Sequence, residues 1–357
     1  MPVIARAEAR DIIALAWFQL GYRPRESILL IGLSGPRRRA GLVVRADLPP
    51  PGGERSLLHR LALPLRRSGA EAVVGLVVSD GACDPPPPPV ARWAERELPR
   101  AGLTVVDLIA VGRTGYRSFR CRDAACCPPK GRPLTGVLSG PAAAHFVLAG
   151  RTVADDEAGL VADVAAPPDP GPAGEGATAG RGTGGSTPPP GGPQARALLG
   201  RWREALAEHG SDPELTDALG PALADVRVRD AVMLAVVPGS GTAPEALLDH
   251  RSSLGRGSGV DLDRLMTVPP DVVVLERARL LLAAAARGCP AGARAGVLAA
   301  LAWLAWWAGD GARARLLAGL ADADQPGHRL AGLVGQLLAA GVPPPWTAAL
   351  SVQARSP

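Results

Sequence analysis

Between Ala165 and Gln194 the chain reads AAPPDPGPAGEGATAGRGTGGSTPPPGGPQ, almost entirely Pro, Gly, Ala, Ser and Thr. A stretch of this kind cannot bury enough apolar surface to offset the entropy lost on ordering it. Residues 166–193 are therefore expected to be a disordered linker. This constrains the fold more than any other feature, because it requires residues 1–165 and 194–357 each to build a core of their own. Both parts are long enough to do so.

The two parts carry different hydrophobic periods. Before the linker, helical and strand patterns alternate. Ala5 to Leu20 has helical spacing stopped by Gly21 and Pro24, and SILLIGL and GLVVRADLP then read as the strands of a hairpin turned by SGPRRRA. Ser56 to Ser68 is expected as a helix interrupted by Pro64, EAVVGLVVS as a buried strand, Val90 to Arg100 as a helix, and LTVVDLIAV as a further strand. GYRSFRC reads as an edge strand, and SGPAAAHFVLAG as a helix with Ser139 as cap and Pro141 in its first turn. Strands that are apolar at nearly every position belong to a sheet covered on both faces. The first part is thus expected to be an α/β domain, its layered sheet mixed because of the hairpin.

After the linker only helical patterns remain: Ala195 to His209, Leu215 to Ala224, Val228 to Val236, Pro270 to Arg287, Arg294 to Ala308, Ala312 to Ala321 and His328 to Ala340. Within this all-α domain, Leu301, Ala302, Gly309, Asp310, Ala314, Ala321 and Pro326 fall at offsets like those of a tetratricopeptide repeat. No second copy precedes them. One repeat-like helical hairpin in a compact domain is the expectation, with Trp303, Trp306 and Trp307 in its core.

Composition narrows the partners. Lys130 is the only lysine, so 38 of the 39 basic residues are arginine, and the formal net charge of +5 is modest for 357 residues. With the charges scattered, nucleic acid is an unlikely partner on these grounds. The longest apolar run, AGVLAALAWLAWWAG, is shorter than the roughly 20 residues needed to span a bilayer. The first 21 residues carry charges within an amphipathic pattern, unlike a secretory leader, so a cytoplasmic location with reduced thiols is expected.

Several segments in order, LGYRPRESILLIGL, VRADLP, RSFRCRDAACCPPKGRPL, VRVRDAVML and AWLAWWAGDGARARLLAGLADADQPGHRLAGLVGQLLAAGVPPPW, together resemble one actinobacterial family, the domain of unknown function 4192. The resemblance implies membership and no activity. Where that family favours a Ser-Arg-Glu-Glu-Leu-like segment ahead of the linker, this chain has ADDEAGL.

The segment richest in chemistry is YRSFRCRDAACCPPKGRPL, Tyr116 to Leu134, which holds three of the five cysteines. Cys121, Cys126 and Cys127 could bind zinc with His145 or Cys83 as a fourth ligand, although adjacent cysteines depart from the usual Cys-x-x-Cys pairing. Arg117, Arg120, Arg122, Lys130 and Arg132 would favour a thiolate, and they would equally make an anion cradle for a phosphate-bearing ligand next to the helix expected after Ser139. The plainest alternative is a Cys- and Pro-rich turn with Cys126 and Cys127 buried as small hydrophobes.

Asp47 and Asp80 end two strands, where ligands of open α/β sheets gather, and could act together as base or cation site. Neither a Gly-x-Gly-x-x-Gly nor a phosphate-loop pattern follows a strand, and there is no Gly-x-Ser-x-Gly elbow, so the standard nucleotide fingerprints are absent and the sequence leaves any cofactor unknown. The leading expectation is a non-catalytic two-domain protein. Its ligand would be a partner protein, held by the helical domain, or a small anion, held by Arg120, Cys121, Cys126, Cys127, Lys130 and Arg132. The alternatives are an enzyme using Asp47 or Asp80 with the cysteine loop, and a structural zinc site.

Overall fold

A computed structural model describes residues 8–84, 86–148, 150–165, 192–208, 212–249 and 265–347. Residues 166–191 of the expected linker lie outside them. The last two of that stretch do not belong to it: Gly192 and Pro193 open a helix, because proline's fixed φ and missing N–H suit a first turn.

Contacts gather the chain into two units, Met1–Leu160 and Val161–Pro357. The first is built on a six-stranded mixed sheet of β1 (Ser27–Ser34), β2 (Arg39–Asp47), β3 (Ala72–Val78), β4 (Thr104–Val111), β5 (Gly115–Ser118) and β6 (Arg132–Pro133), in the order β2-β1-β3-β4-β5-β6. The hairpin β1–β2 is antiparallel, β1 is also antiparallel to β3, and β3 runs parallel to β4. β3 is buried at every position, as its unbroken apolar run requires. Ile28, Leu30, Val73, Val77 and Leu108 pack with α2 (Glu54–Arg67) and α3 (Pro89–Arg100), while the alternate residues Leu29, Ile31, Val74, Leu76 and Ile109 are equally buried on the other face. α1 (Ala9–Leu20) and α4 (Pro141–Leu148) pack on each other, with Phe18 and Phe146 stacked at 5.0 Å.

Three local expectations change. Pro64 does not interrupt α2, since it sits in the last turn, where only one backbone bond is lost. Ser139 does not cap α4; it closes a 3-10 turn, Val137–Ser139, with its N–H on the Gly136 carbonyl at 3.2 Å. The segment expected at the sheet edge is flanked by a further strand, β6, whose two residues are too few to show a period.

The second unit is all helix among its described residues: α5 (Gly192–Ala207), α6 (Pro213–Ala222), α7 (Val226–Leu234), α8 (Ala243–Asp249), α9 (Val272–Gly288), α10 (Ala295–Trp307), α11 (Gly311–Asp324) and α12 (Arg329–Ala339). α8 was not expected from the sequence. α10 is buried around most of its circumference and packs on α11 and α12. Trp306 and Trp307 are buried, and Trp303 is half-buried with its ring stacked on Trp307 at 5.7 Å. No helix among the described residues is long and apolar enough to cross a membrane.

A candidate thiolate site on the sheet-edge loop

The loop from β5 to β6 is positioned from the sheet outward. Ser118 ends β5 with its hydroxyl buried, donating to the Asp107 carboxylate on β4 at 2.6 Å. The same oxygen accepts the backbone N–H groups of Arg120 at 3.1 Å and Cys121 at 3.2 Å, so the chain turns off the strand there. Asp123 then makes a second turn: its carboxylate accepts the Ala125 N–H at 2.8 Å and its carbonyl the Cys127 N–H at 2.7 Å. Arg132 on β6 ties the return, donating from Nε to the Cys126 carbonyl at 2.6 Å, with Nη2 at 3.8 Å from the Cys126 sulfur.

The loop closes against β5 through glycine. Gly131 has φ 78°, and a Cβ there would lie 2.9 Å from the backbone N and O of Tyr116; a Cβ at Gly115 would lie 2.8 Å from the Lys130 carbonyl.

These turns bring the Cys121, Cys126 and Cys127 sulfurs within 4.8 Å of one another. The expectation of a buried Cys126–Cys127 pair is overturned: Cys126 is exposed, and Cys121 and Cys127 are half-buried. Two successive tight turns, not core packing, place them. The hydrogen bond with the Asp123 backbone, helped by the neighbouring sulfurs, pulls the Cys121 thiol below its ordinary range. Burial pushes the Cys127 thiol up.

The proposed fourth ligands do not join. Cys83 is buried beside Ala82 and Ala110, donating to the Gly115 carbonyl at 3.3 Å, and burial raises its pKa. His145 lies on α4 with its ring edge-on to Phe146 at 5.8 Å. Among the described residues, the three loop cysteines are the only metal-ligating group of this kind.

Arg117 and Arg120 are turned to local partners. Arg120 turns back to the Val105 carbonyl at 2.8 Å and to Glu95 at 3.3 Å, and Arg117 donates to the Pro129 carbonyl at 3.2 Å. A Cβ on Gly140, at the start of α4, would lie 3.7 Å from an Asp11 carboxylate oxygen, so that helix end already faces a negative charge.

Asp47 and Asp80 do share an end of the sheet, since β2 and β3 run the same way on either side of β1. Two strand spacings separate those ends by about 10 Å. Asp47 pairs with Arg45 at 2.7 Å, while the Asp80 N–H goes to Glu26 at 3.3 Å. Arg45 also binds Ser27 at 2.9 Å and Glu157 at 3.1 Å, and the buried Tyr22 hydroxyl donates to Glu157 at 2.8 Å. The GYRPRES motif and the ADDEAGL segment therefore meet in one polar network that holds residues 154–160 to the first unit.

Residues 10–251 and 272–345 match the family described as a domain of unknown function, DUF4192. The chain belongs to the DUF4192 family. The DUF4192 match runs through both units, and the thiol loop lies inside it. Comparison with curated proteins and with solved structures gives no match.

Sequence reasoning named the three cysteines and missed the residues that aim them. Asp107 had left a signal, as the single charged residue in the apolar run of β4. Ser118 and Asp123 left none beyond their ordinary turn chemistry.

Proposed function

We propose that this DUF4192 protein is a binding protein whose first unit carries a thiolate metal site at Cys121, Cys126 and Cys127. The observation that carries this reading is the convergence of three sulfurs within 4.8 Å on a loop already hydrogen-bonded in place. Sulfurs sharing one ion at about 2.3 Å stand roughly 3.8 Å apart, so only small rotamer changes separate the thiols from a coordinating arrangement. The bound ion would fix the loop that finishes the sheet edge.

A phosphate-bearing ligand has less support, because Arg117, Arg120 and Arg132 each hold backbone or side-chain partners of their own. Catalysis at Asp47 and Asp80 has less support too, since the two lie on either side of β1 and Asp47 is paired with Arg45. The tetratricopeptide-like character of α10 and α11, and peptide binding by the helical unit, are secondary proposals resting on residue spacing and on the close packing of those two helices.

The test is metal content. Protein purified under reducing conditions and passed through gel filtration is expected to keep about one thiophilic ion per chain, lost in Cys121→Ser, Cys126→Ser and Cys127→Ser and kept in Cys289→Ser. Metal-free protein that takes up no added ion, with all three loop thiols alkylated at the rate of free cysteine, would sink the reading.

A further inference from the structure

We infer that this site is built for copper(I), an ion satisfied by three sulfurs, in preference to zinc. The inference rests on the reading above, that the three loop thiols hold a metal.

The first argument is the donor count. Zinc in a structural site takes four protein ligands, and one with three keeps an exchangeable water. Among the described residues no fourth His, Cys, Asp or Glu joins Cys121, Cys126 and Cys127. Cys83 is committed to the core through the Gly115 carbonyl, and His145 stands against Phe146. Copper(I) is among the soft ions that thiolates select, and, carrying one charge where zinc carries two, it is satisfied by three thiolates without a fourth donor.

The second argument is preorganisation. All three ligands come from one seven-residue stretch whose turns are pinned by Ser118 and Asp123, so the trigonal set takes no ligand from elsewhere in the chain. A zinc site limited to one short loop would stay open on its solvent side, where Cys126 is exposed.

The third is charge. Three thiols plus one copper(I) give a tris-thiolate of charge −2 and release three protons, with no electron transferred and no oxidant required. Arg132 lies against the Cys126 sulfur, and with Arg120 paired to Glu95, Arg122, Lys130 and Arg132 less Asp123 leave two positive charges to set against those two negative ones.

The experiment uses the full chain, reduced and handled without oxygen. Copper(I) is titrated against bathocuproine disulfonate and zinc against 4-(2-pyridylazo)resorcinol, with alkylation of the five cysteines read by mass spectrometry. One copper(I) per chain should be retained against its competitor, protecting three thiols, while zinc is withdrawn by its own. X-ray absorption on the copper form should give three sulfur neighbours. Cys126→Ala should lower copper retention at least tenfold, and Cys289→Ala should leave it unchanged, with circular dichroism confirming that both variants fold. Zinc held against its competitor with four ligands, and copper(I) lost, would overturn the inference while the metal-site reading stands. Retention of neither ion by folded protein would overturn both.

Discussion

Gly131 is the residue on which the thiol loop turns, because its φ of 78° and the Tyr116 backbone 2.9 Å from its missing Cβ leave room for no side chain. Gly131→Ala should destabilise the first unit by about 1–3 kcal/mol, the usual scale for enforced backbone strain, and should weaken metal retention although every sulfur remains. Equal stability and equal retention would show that the β5–β6 closure is not what positions the cysteines. A second residue-scale test concerns His328, whose Nδ1 accepts the Ala331 N–H at 3.4 Å as the N-cap of α12. Burial lowers its pKa, the Arg229 charge adds to this and Asp322 opposes it. The neutral ring is therefore favoured in the folded protein. A proton binds the unfolded chain more readily, so this contribution is complete above the ordinary histidine value near 6.5 and is lost as pH falls below it. Melting temperature should drop as pH falls below about 6.5. In His328→Asn, which keeps a capping acceptor and cannot titrate, that part of the slope should disappear.

At the scale of elements, the short 3-10 segment Ala158–Val164 has a role its composition hides. Val164 is fully buried in the helical core, the Asp163 carboxylate receives Arg279 of α9 and Arg313 of α11, and Arg287 and Arg294 donate to the carbonyls of Asp163 and Val164. Residues ahead of the Gly/Pro-rich stretch are thus part of the helical unit. Asp163→Ala leaves two half-buried arginines without their common partner and should cost about 2 kcal/mol, less than for a fully buried pair. If a protease site is engineered within 166–191 and cut, the wild-type fragments should stay together on gel filtration, and those of Asp163→Ala should separate more readily. Immediate separation of the wild-type fragments would remove the anchor. The sequence could not reveal this anchor, because one Asp and one Val in ADVAA look like any turn and their partners lie more than a hundred residues away. The sheet was legible for the opposite reason. β1 and β3 are buried on both faces, so burial wrote a long apolar run into each of them, and β4 carries a similar run broken at Asp107, whereas β6 has two residues and no period. The thiol loop falls between these cases. Its cysteines were visible in the sequence, and their convergence depends on Asp123 and on Ser118, whose turn-forming role becomes specific only once Asp107 lies beside it on the adjoining strand.

For the whole molecule, the division at Leu160 and Val161 separates two cores of different kinds, a sheet covered by helices and a helical bundle around α10. Each is large enough to unfold as a cooperative step of its own. Calorimetry of the full chain should therefore resolve two transitions that answer to different substitutions. Trp307 is fully buried at the centre of the helical core, and Trp307→Ala should remove about 3–5 kcal/mol from that transition alone, as truncating a large enclosed aromatic does. Added copper(I) should raise only the other transition, because a ligand stabilises the cooperative unit whose native state binds it, by an amount that grows with the logarithm of its free concentration. The two perturbations check each other. If Trp307→Ala lowered both transitions together, the units would unfold as one, and a metal-induced shift could no longer be assigned to the sheet-edge loop without the cysteine substitutions.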